Sequence, residues 1–291
     1  MTSAQGFLFV VLSGIVSYLI GSINLSILMS KLMGKGDIRE QGSKNAGTTN
    51  TLRVLGKGPA LVVFVWDVLK GAIAVFVARW ISGLVAPDLT VLLNNYIYVF
   101  GVLISSLAVI LGHNYPVYFG FKGGKGVATS LGVILAIEWR IGLVCLAAGI
   151  VGIALFQFVS VGSLIAAIEY PILVCILGGQ FDKTFLANVT TRVAYITFSF
   201  ILAIMVIVRH KTNIERIKNG TENKLRFRKT PEEKIAEEKE KMEVKIEEKV
   251  EETKEEIEKT EEKVEEGFEK IDIKIEPKKE EDKGSKKKGK K

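Results

Sequence analysis

Gly112-His113-Asn114-Tyr115-Pro116-Val117-Tyr118-Phe119-Gly120-Phe121-Lys122-Gly123-Gly124-Lys125-Gly126-Val127-Ala128-Thr129 joins two apolar runs, about residues 95–112 and 127–138. The connection packs a histidine, two lysines and five glycines between segments of membrane-like composition. Glycine admits positive φ and close backbone approach, so successive N–H groups can converge on an anion. Lys122 and Lys125 add positive charge, and the apolar residues from Val127 onward can start a helix whose N-terminus faces the same anion. Lys122, Gly123, Gly124, Lys125 and Gly126 therefore read as a phosphate cradle at a membrane surface. The alternative is a glycine-rich turn carrying two ordinary cytoplasmic lysines. A Walker A loop is excluded: Phe119 stands five residues before Gly124 where Gly is needed, and Gly126 follows Lys125 where Ser or Thr is needed.

Outward from this loop, seven apolar stretches can be marked, at about 7–33, 59–81, 95–112, 127–138, 141–158, 164–180 and 191–208. Most approach the ~20 residues of a spanning helix. The fourth is too short to span upright; it either begins deeper in the membrane or joins the fifth as a helical hairpin across Glu138-Trp139-Arg140. Lys31, Lys35, Arg39, Lys44, Arg53 and Lys57 surround the first connection, Lys122 and Lys125 lie in the third, and the segment after 208 is rich in Lys and Arg. The alternate connections, near 82–94, 138–140 and 181–190, carry only Arg140 and Lys183. The positive-inside rule then puts the N-terminus outside and the C-terminus in the cytoplasm, with the parity that seven crossings require.

Composition divides the chain in two. The whole sequence has 39 Lys and Arg against 32 Asp and Glu. Residues 231–291 hold 18 Lys and 23 Asp and Glu, a net of −5, which leaves 21 basic and 9 acidic residues, a net of +12, for residues 1–230. The first part reads as a membrane domain and the second as a charged tail. Positive charge on a membrane domain fits cytoplasmic loops and anionic substrates; the basic–aromatic interleaving of a nucleic-acid binder is absent. Cys145 and Cys175 lie far apart inside apolar segments, without zinc or redox spacing, and read as packing residues.

Charges inside the spans need partners. Asp67 and Lys70, three apart, share a helix face and can pair. Glu169 either accepts a hydrogen bond from a neighbouring span or stays protonated. In the tail, Ile246, Thr253 and Thr260 fall on one heptad position and Val250, Ile257, Val264 and Ile271 on the other. Thr253 and Thr260, with Gly267 next on the same position, interrupt that seam, which favours a solvated single helix or a disordered arm over a coiled coil. The closing run Lys286 to Lys291 is suited to anionic headgroups or to solubilising charge.

Two more polar segments accompany the glycine loop. The first is Gly42-Ser43-Lys44-Asn45-Ala46-Gly47-Thr48-Thr49-Asn50, with Arg53 three residues on. Arg gives bidentate contacts to phosphate oxygens, and the Ser, Thr and Asn groups, Asn45 and Asn50 among them, suit the hydroxyls of a phosphorylated polyol. A polar N-cap cluster opening the next helix is the plainer reading. The second is Arg209-His210-Lys211-Thr212-Asn213-Ile214-Glu215-Arg216, followed by Asn219-Gly220-Thr221-Glu222. His210 and Asn213 share a helix face if the last span continues, and histidine moves protons near neutral pH. A juxtamembrane basic anchor is the alternative.

Together the segments resemble the signature motifs of the PlsY family, bacterial membrane acyltransferases that use acyl phosphate to acylate glycerol 3-phosphate. The match runs through Gly21-Ser22-Ile23, Gly42 to Arg53, Asp67 to Gly71, Gly112 to Thr129 and Arg209 to Glu222, over about residues 1–228. Residues 229–291, a Lys/Glu-rich low-complexity tail, lie outside it. The resemblance implies an all-α integral membrane protein, a bundle of seven transmembrane helices in a bacterial cytoplasmic membrane with its active site facing the cytoplasm. It implies that Ser43, Arg53 and Lys125 bind substrate and phosphate, and that His210, Asn213 and Glu222 match the third motif. Ser163, in Val159-Ser160-Val161-Gly162-Ser163, looks like the family's catalytic-region serine. Here Val161-Gly162 replaces the usual Leu-Ala between the serines and Phe156-Gln157-Phe158 replaces upstream basic residues, so Ser160 and Ser163 both stand as the functional serine.

The implied reaction takes an acyl group from acyl phosphate to glycerol 3-phosphate without metal or bound cofactor, in a monomer. His210, positioned by Asn213 and hydrogen-bonded to Ser163, or a phosphate oxygen of the donor, would take the hydroxyl proton. A transporter for a phosphorylated small molecule and a scaffold presenting the tail remain as rival classes, although no inverted repeat is visible between the halves. Truncation at about residue 230 separates enzyme from scaffold. Turnover should survive the truncation in an enzyme, and loss of the chain's role would mark a scaffold.

Overall fold

A computed structural model describes residues 3–85, 96–181 and 189–225, and helical positions between 242 and 264 in the tail. The connections near 82–94 and 181–190, with Lys183, and the tail positions Ile271 and Lys286 to Lys291 fall wholly or mainly outside the described residues. The chain divides into two compact units, Met1–Leu225 and Arg226–Lys291.

The first unit is all-helical: α1 Ser3–Ser22, α2 Leu25–Leu32, α3 Thr48–Val54, α4 Lys57–Val85, α5 Tyr96–Asn114, α6 Val127–Ile137, α7 Trp139–Phe156, α8 Val159–Phe181, α9 Val189–Arg209 and α10 Lys211–Lys218. Six apolar helical segments among the described residues are long enough to cross a membrane: Ala4–Leu32, Lys57–Val85, Tyr96–Phe119, Trp139–Phe156, Val159–Gly178 and Val189–Arg209. α6, at 11 residues, rises only about 16 Å, roughly half of a ~30 Å hydrocarbon core. It takes the hairpin arrangement: Glu138 is the one non-helical residue between α6 and α7, and its carboxylate accepts from Arg140 N at 3.2 Å to cap α7. Large apolar side chains such as Phe7, Leu61, Trp80, Leu155 and Ile204 stay exposed on the outer faces, as a lipid-facing surface requires.

The first run is not one helix. It breaks after Ser22, and Asn24 caps α2 by accepting from Ile27 N at 3.2 Å. A broken helix inside a bilayer leaves carbonyls that protein donors must satisfy. Ile23 O accepts from Trp66 Nε1 at 3.1 Å and from Lys70 Nζ at 3.2 Å. Lys70 is fully buried, and its ammonium also lies 2.7 Å from Asp67 Oδ1 and 2.9 Å from His113 Nδ1. The Asp67–Lys70 pair is therefore formed as the spacing predicts, with His113 from α5 as a third member that the spacing did not reveal.

Close helix crossings rely on glycine. A Cβ on Gly71 would meet Thr129 O at 2.2 Å and one on Gly132 would meet Val68 O at 1.9 Å, so α4 and α6 touch backbone to backbone. Gly21 and Gly112 do the same for α1 and α5, against Val109 O at 2.1 Å and Tyr18 O at 2.2 Å. Cys145 is buried and Cys175 is exposed, and both are free thiols. Glu169 Oε2 is buried without a hydrogen-bond partner among the described residues.

In the second unit Ile246, Val250, Ile257 and Val264 are helical and exposed. The seam threonines bond within their own helix, Thr253 Oγ1 to Lys249 O at 2.7 Å and Thr260 Oγ1 to Glu256 O at 2.6 Å.

Removing one partner of a buried ion pair strands the other. Lys70→Met should lower stability by about 3–5 kcal/mol, and Asp67→Asn added to it should restore part of the loss. Thermal melting of the detergent-solubilised variants checks both.

Candidate active site

The three polar connections meet at one end of a cavity of about 270 Å³. Each wall is held by backbone geometry that its own residues dictate.

The first wall hangs on Asn50, which is fully buried. Its carbonyl oxygen accepts from Ser43 N at 2.7 Å, and its amide donates to Ile38 O and Gln41 O, both at 3.0 Å. That brace turns the chain through left-handed Gly42 and Lys44 (φ 57° and 58°) and presents Ser43 and Asn45 to the cavity. α3 then brings Thr48, Thr49 and Arg53 to the same wall. Asn50 itself does not line the cavity, so its observed place is behind the wall rather than on it.

The glycine loop departs from the expected cradle. The N–H groups of Gly123 and Gly124 donate to Asn114 O and His113 O, both at 3.1 Å, and so are already used in the turn. These glycines permit close packing instead: a Cβ on Gly124 would lie 2.1 Å from His113 Nε2 and 2.6 Å from Ala46 O. Lys122 is exposed, and Lys122, Gly123 and Gly124 are not on the cavity wall. Lys125, Gly126, Val127 and Ala128 are. The donors on the cavity wall thus come from the next residue, Lys125, and from the start of α6, whose first-turn N–H groups lack intrahelical partners.

The third wall begins where α9 ends. The span does not continue as one helix; it breaks at His210 (φ −96°, ψ 5°), whose carbonyl accepts from Asn213 N and Ile214 N at 2.9 Å. His210 and Asn213 still both face the cavity. His210 Nδ1 lies 2.7 Å from Val206 O. A carbonyl only accepts, so Nδ1 carries the proton and Nε2 keeps its lone pair. Asn213 accepts from Lys125 Nζ and donates to Glu222 Oε1 at 2.7 Å. Glu222 also accepts from Ser160 Oγ at 2.9 Å and from Arg216 Nε at 2.7 Å. Ser163 lines the cavity but donates to Val159 O at 2.9 Å, within its own helix. The expected Ser163–His210 bond is not made, and Ser160 is the serine tied to the third motif.

Charge at this end is lopsided. Burial is the largest influence on Lys125 and brings it down to about 8; Glu222 pulls it upward, and Arg216, Arg53 and Arg209 push it lower. Burial and the adjacent Lys125 bring His210 down to about 4, so the ring is neutral at physiological pH. Burial would raise Glu222, but hydrogen bonds from Arg216, Asn213 and Ser160 prevail and hold it below the usual carboxylate range. Such a site favours entering anions. Below the polar end the wall is apolar, with Ile134, Leu146, Ile150, Ile153, Leu202 and Val206 from α6, α7 and α9. One cavity therefore offers cations and hydroxyl partners at one end and hydrocarbon at the other. Among the described residues no three His, Cys, Asp or Glu side chains are grouped to hold a metal ion.

The sequence did not single out Arg216, which shares Glu222 with Asn213, or Arg209, which donates to Gly124 O at 2.7 Å and lies over the Tyr115 ring. The i,i+3 spacing of Asn213 and Arg216 was the available signal.

The family model described as glycerol-3-phosphate acyltransferase matches residues 11–220. A protein of that name from Thermoanaerobacter pseudethanolicus is 40% identical over 218 residues, 75% of this chain and 96% of the relative. Among solved structures, PlsY (YgiH), an integral membrane glycerol 3-phosphate acyltransferase, is similar in its glycerol 3-phosphate form with TM-score 0.60 and 32% identity. Its lysophosphatidic acid form gives 0.58 and 31%. Each alignment covers 74% of this chain and 94% of the solved one. By the length and identity of these matches, the chain belongs to the glycerol-3-phosphate acyltransferase family of integral membrane enzymes.

Proposed function

We propose that the chain transfers a fatty acyl group from acyl phosphate to the 1-hydroxyl of sn-glycerol 3-phosphate, giving 1-acyl-sn-glycerol 3-phosphate and inorganic phosphate. The observation that carries this reading is the two-ended cavity: Ser43, Arg53, Lys125, His210 and Asn213 at its polar end and Ile134, Ile150, Ile153 and Leu202 beyond. An acyl phosphate has the same two-ended chemistry. The second substrate is an anion with free hydroxyls, which suits Arg53 beside Ser43, Asn45, Thr48 and Thr49.

The hydroxyl oxygen attacks the acyl carbonyl carbon, and the bond from that carbon to the phosphate oxygen breaks. The donor is already activated, so the protein's task is to hold two anions together and accept one proton. Lys125, Arg53 and the first N–H groups of α6 offset the repulsion between the anions. His210 Nε2 is the proton acceptor; burial and the neighbouring Lys125 keep the ring neutral, and a bound anion raises its basicity. Asn213, tied to Lys125 and Glu222, sets the third wall. The short α6 hairpin completes seven membrane segments around the site, with the N-terminus outside and the C-terminus and site in the cytoplasm of a bacterial plasma membrane. The chain acts as a monomer.

Purified protein given palmitoyl phosphate should release phosphate and form lysophosphatidic acid only when glycerol 3-phosphate is added. Turnover with palmitoyl-CoA alone would overturn the donor, and silence of folded protein with both donors would overturn the acyl-transfer reading. Lys125→Ala should cost about 10²–10³ in kcat/KM and His210→Ala about 10²–10⁴.

The pH profile follows from Lys125. Its pKa is lowered by burial to about 8, so the charge that attracts anions is complete below that pH and lost above it. kcat/KM, which reports the free enzyme, should fall through a midpoint near 8. Lys125→Arg should move that limb to higher pH.

A further inference from the structure

Arg39 does not reach the cavity, yet it holds the loop that delivers Lys125. That loop bends through three left-handed residues, Gly120 (φ 64°), Phe121 (φ 58°) and Gly126 (φ 79°). For the aromatic Phe121 this conformation is unfavourable, and it persists only where the surroundings enforce it. The Arg39 guanidinium brackets it: Nη1 donates to Phe119 O at 2.6 Å and to Lys122 O at 2.9 Å. Asp37 holds the other edge of the group, with Nε 2.9 Å from Oδ1 and Nη2 2.6 Å from Oδ2. Asp37 also accepts from Arg39 N at 2.9 Å, so the turn Ile38–Glu40 presents the guanidinium in one orientation. A planar group with five donors can make these contacts together; an ammonium cannot match that fork.

The same turn leads directly into Ser43, because Asn50 ties Ile38 O, Gln41 O and Ser43 N together. Arg39 thus joins the wall carrying Ser43 and Arg53 to the loop that ends in Lys125. On the inner side the two segments touch where Gly124 lies against Ala46 O.

We propose that Arg39 is a positioning residue that fixes the gap between the two anion-binding walls. The inference rests on the acyl-transfer reading. Two like-charged substrates must meet at bond-forming distance, and a misplacement of about 1 Å costs roughly 100-fold in rate. The Arg39–Asp37 pair is itself partly exposed, 23% and 19%, and pairs of that kind add little to global stability. The guanidinium therefore controls alignment more than folding.

Arg39→Ala should lower kcat by about 30–100-fold while the KM for glycerol 3-phosphate changes less than about threefold, the pattern of a contribution realised only in the transition state. The melting temperature in detergent should stay close to that of the unsubstituted protein. Amide exchange over residues 119–124 should accelerate. Free guanidinium ion should restore part of kcat in Arg39→Ala, whereas ammonium ion should not, and Arg39→Lys should remain impaired. A kcat near that of the unsubstituted protein, a loss that tracks melting temperature, or equal rescue by ammonium would each overturn the proposal. If the unsubstituted protein shows no acyl transfer, the underlying reading fails instead, and unchanged exchange at 119–124 in Arg39→Ala would separately refute the latch.

Discussion

A buried ammonium at the break in the first span organises this molecule. Lys70 Nζ sits within 3.2 Å of Asp67, His113 and the Ile23 carbonyl, and each partner leads to a different part of the site. Ile23 precedes Asn24, whose amide donates to Ala46 O at 3.2 Å and so ties the break to the first polar connection. His113 packs against Gly124, and its carbonyl accepts from the Gly124 N–H at 3.1 Å. A charge that would be costly alone in a bilayer is thereby neutralised, and the satisfaction of its donors registers two loops against each other.

The site built on this base is designed around unbalanced charge. Arg53, Arg209 and Arg216 all act on Lys125, with Glu222 as the near anion. Glu222 is consumed by structure, since its two oxygens accept from Asn213, Ser160 and Arg216. The remaining positive charge suits the two phosphate-bearing substrates of the proposed reaction. In the proposed reaction the cavity's apolar residues would let a hydrocarbon chain lie next to that charge without burying either group in the wrong medium.

Much of this was legible in the sequence because it follows from periodicity and charge. Long apolar runs gave the helices, and the spacing of Asp67 and Lys70 gave their pair. Ser43, Arg53, Lys125, His210 and Asn213 were legible as polar groups placed next to membrane segments. What the sequence hid depends on backbone direction. Asn24 stopping the first helix could not be told from a polar residue within it. Gly123 and Gly124 read as anion donors because sequence shows a missing Cβ but not where the N–H points; here it points to His113 O and Asn114 O. Ser160 and Ser163 are separated only by the register of α8, which aims Ser160 at Glu222 and leaves Ser163 bonded to Val159 O. Arg39 looked like one more cytoplasmic charge, because its partners are carbonyls 80 residues away.

Simultaneous occupancy of the polar end by two anions is the central claim, and equilibrium binding tests it most directly. Glycerol 3-phosphate binding would be measured with and without a saturating, non-transferable acyl phosphonate. The account predicts a ternary complex, with the affinity for glycerol 3-phosphate changed by less than about tenfold, a coupling within about 1.4 kcal/mol. Strict mutual displacement of the two ligands would mean a single anion site and would contradict it.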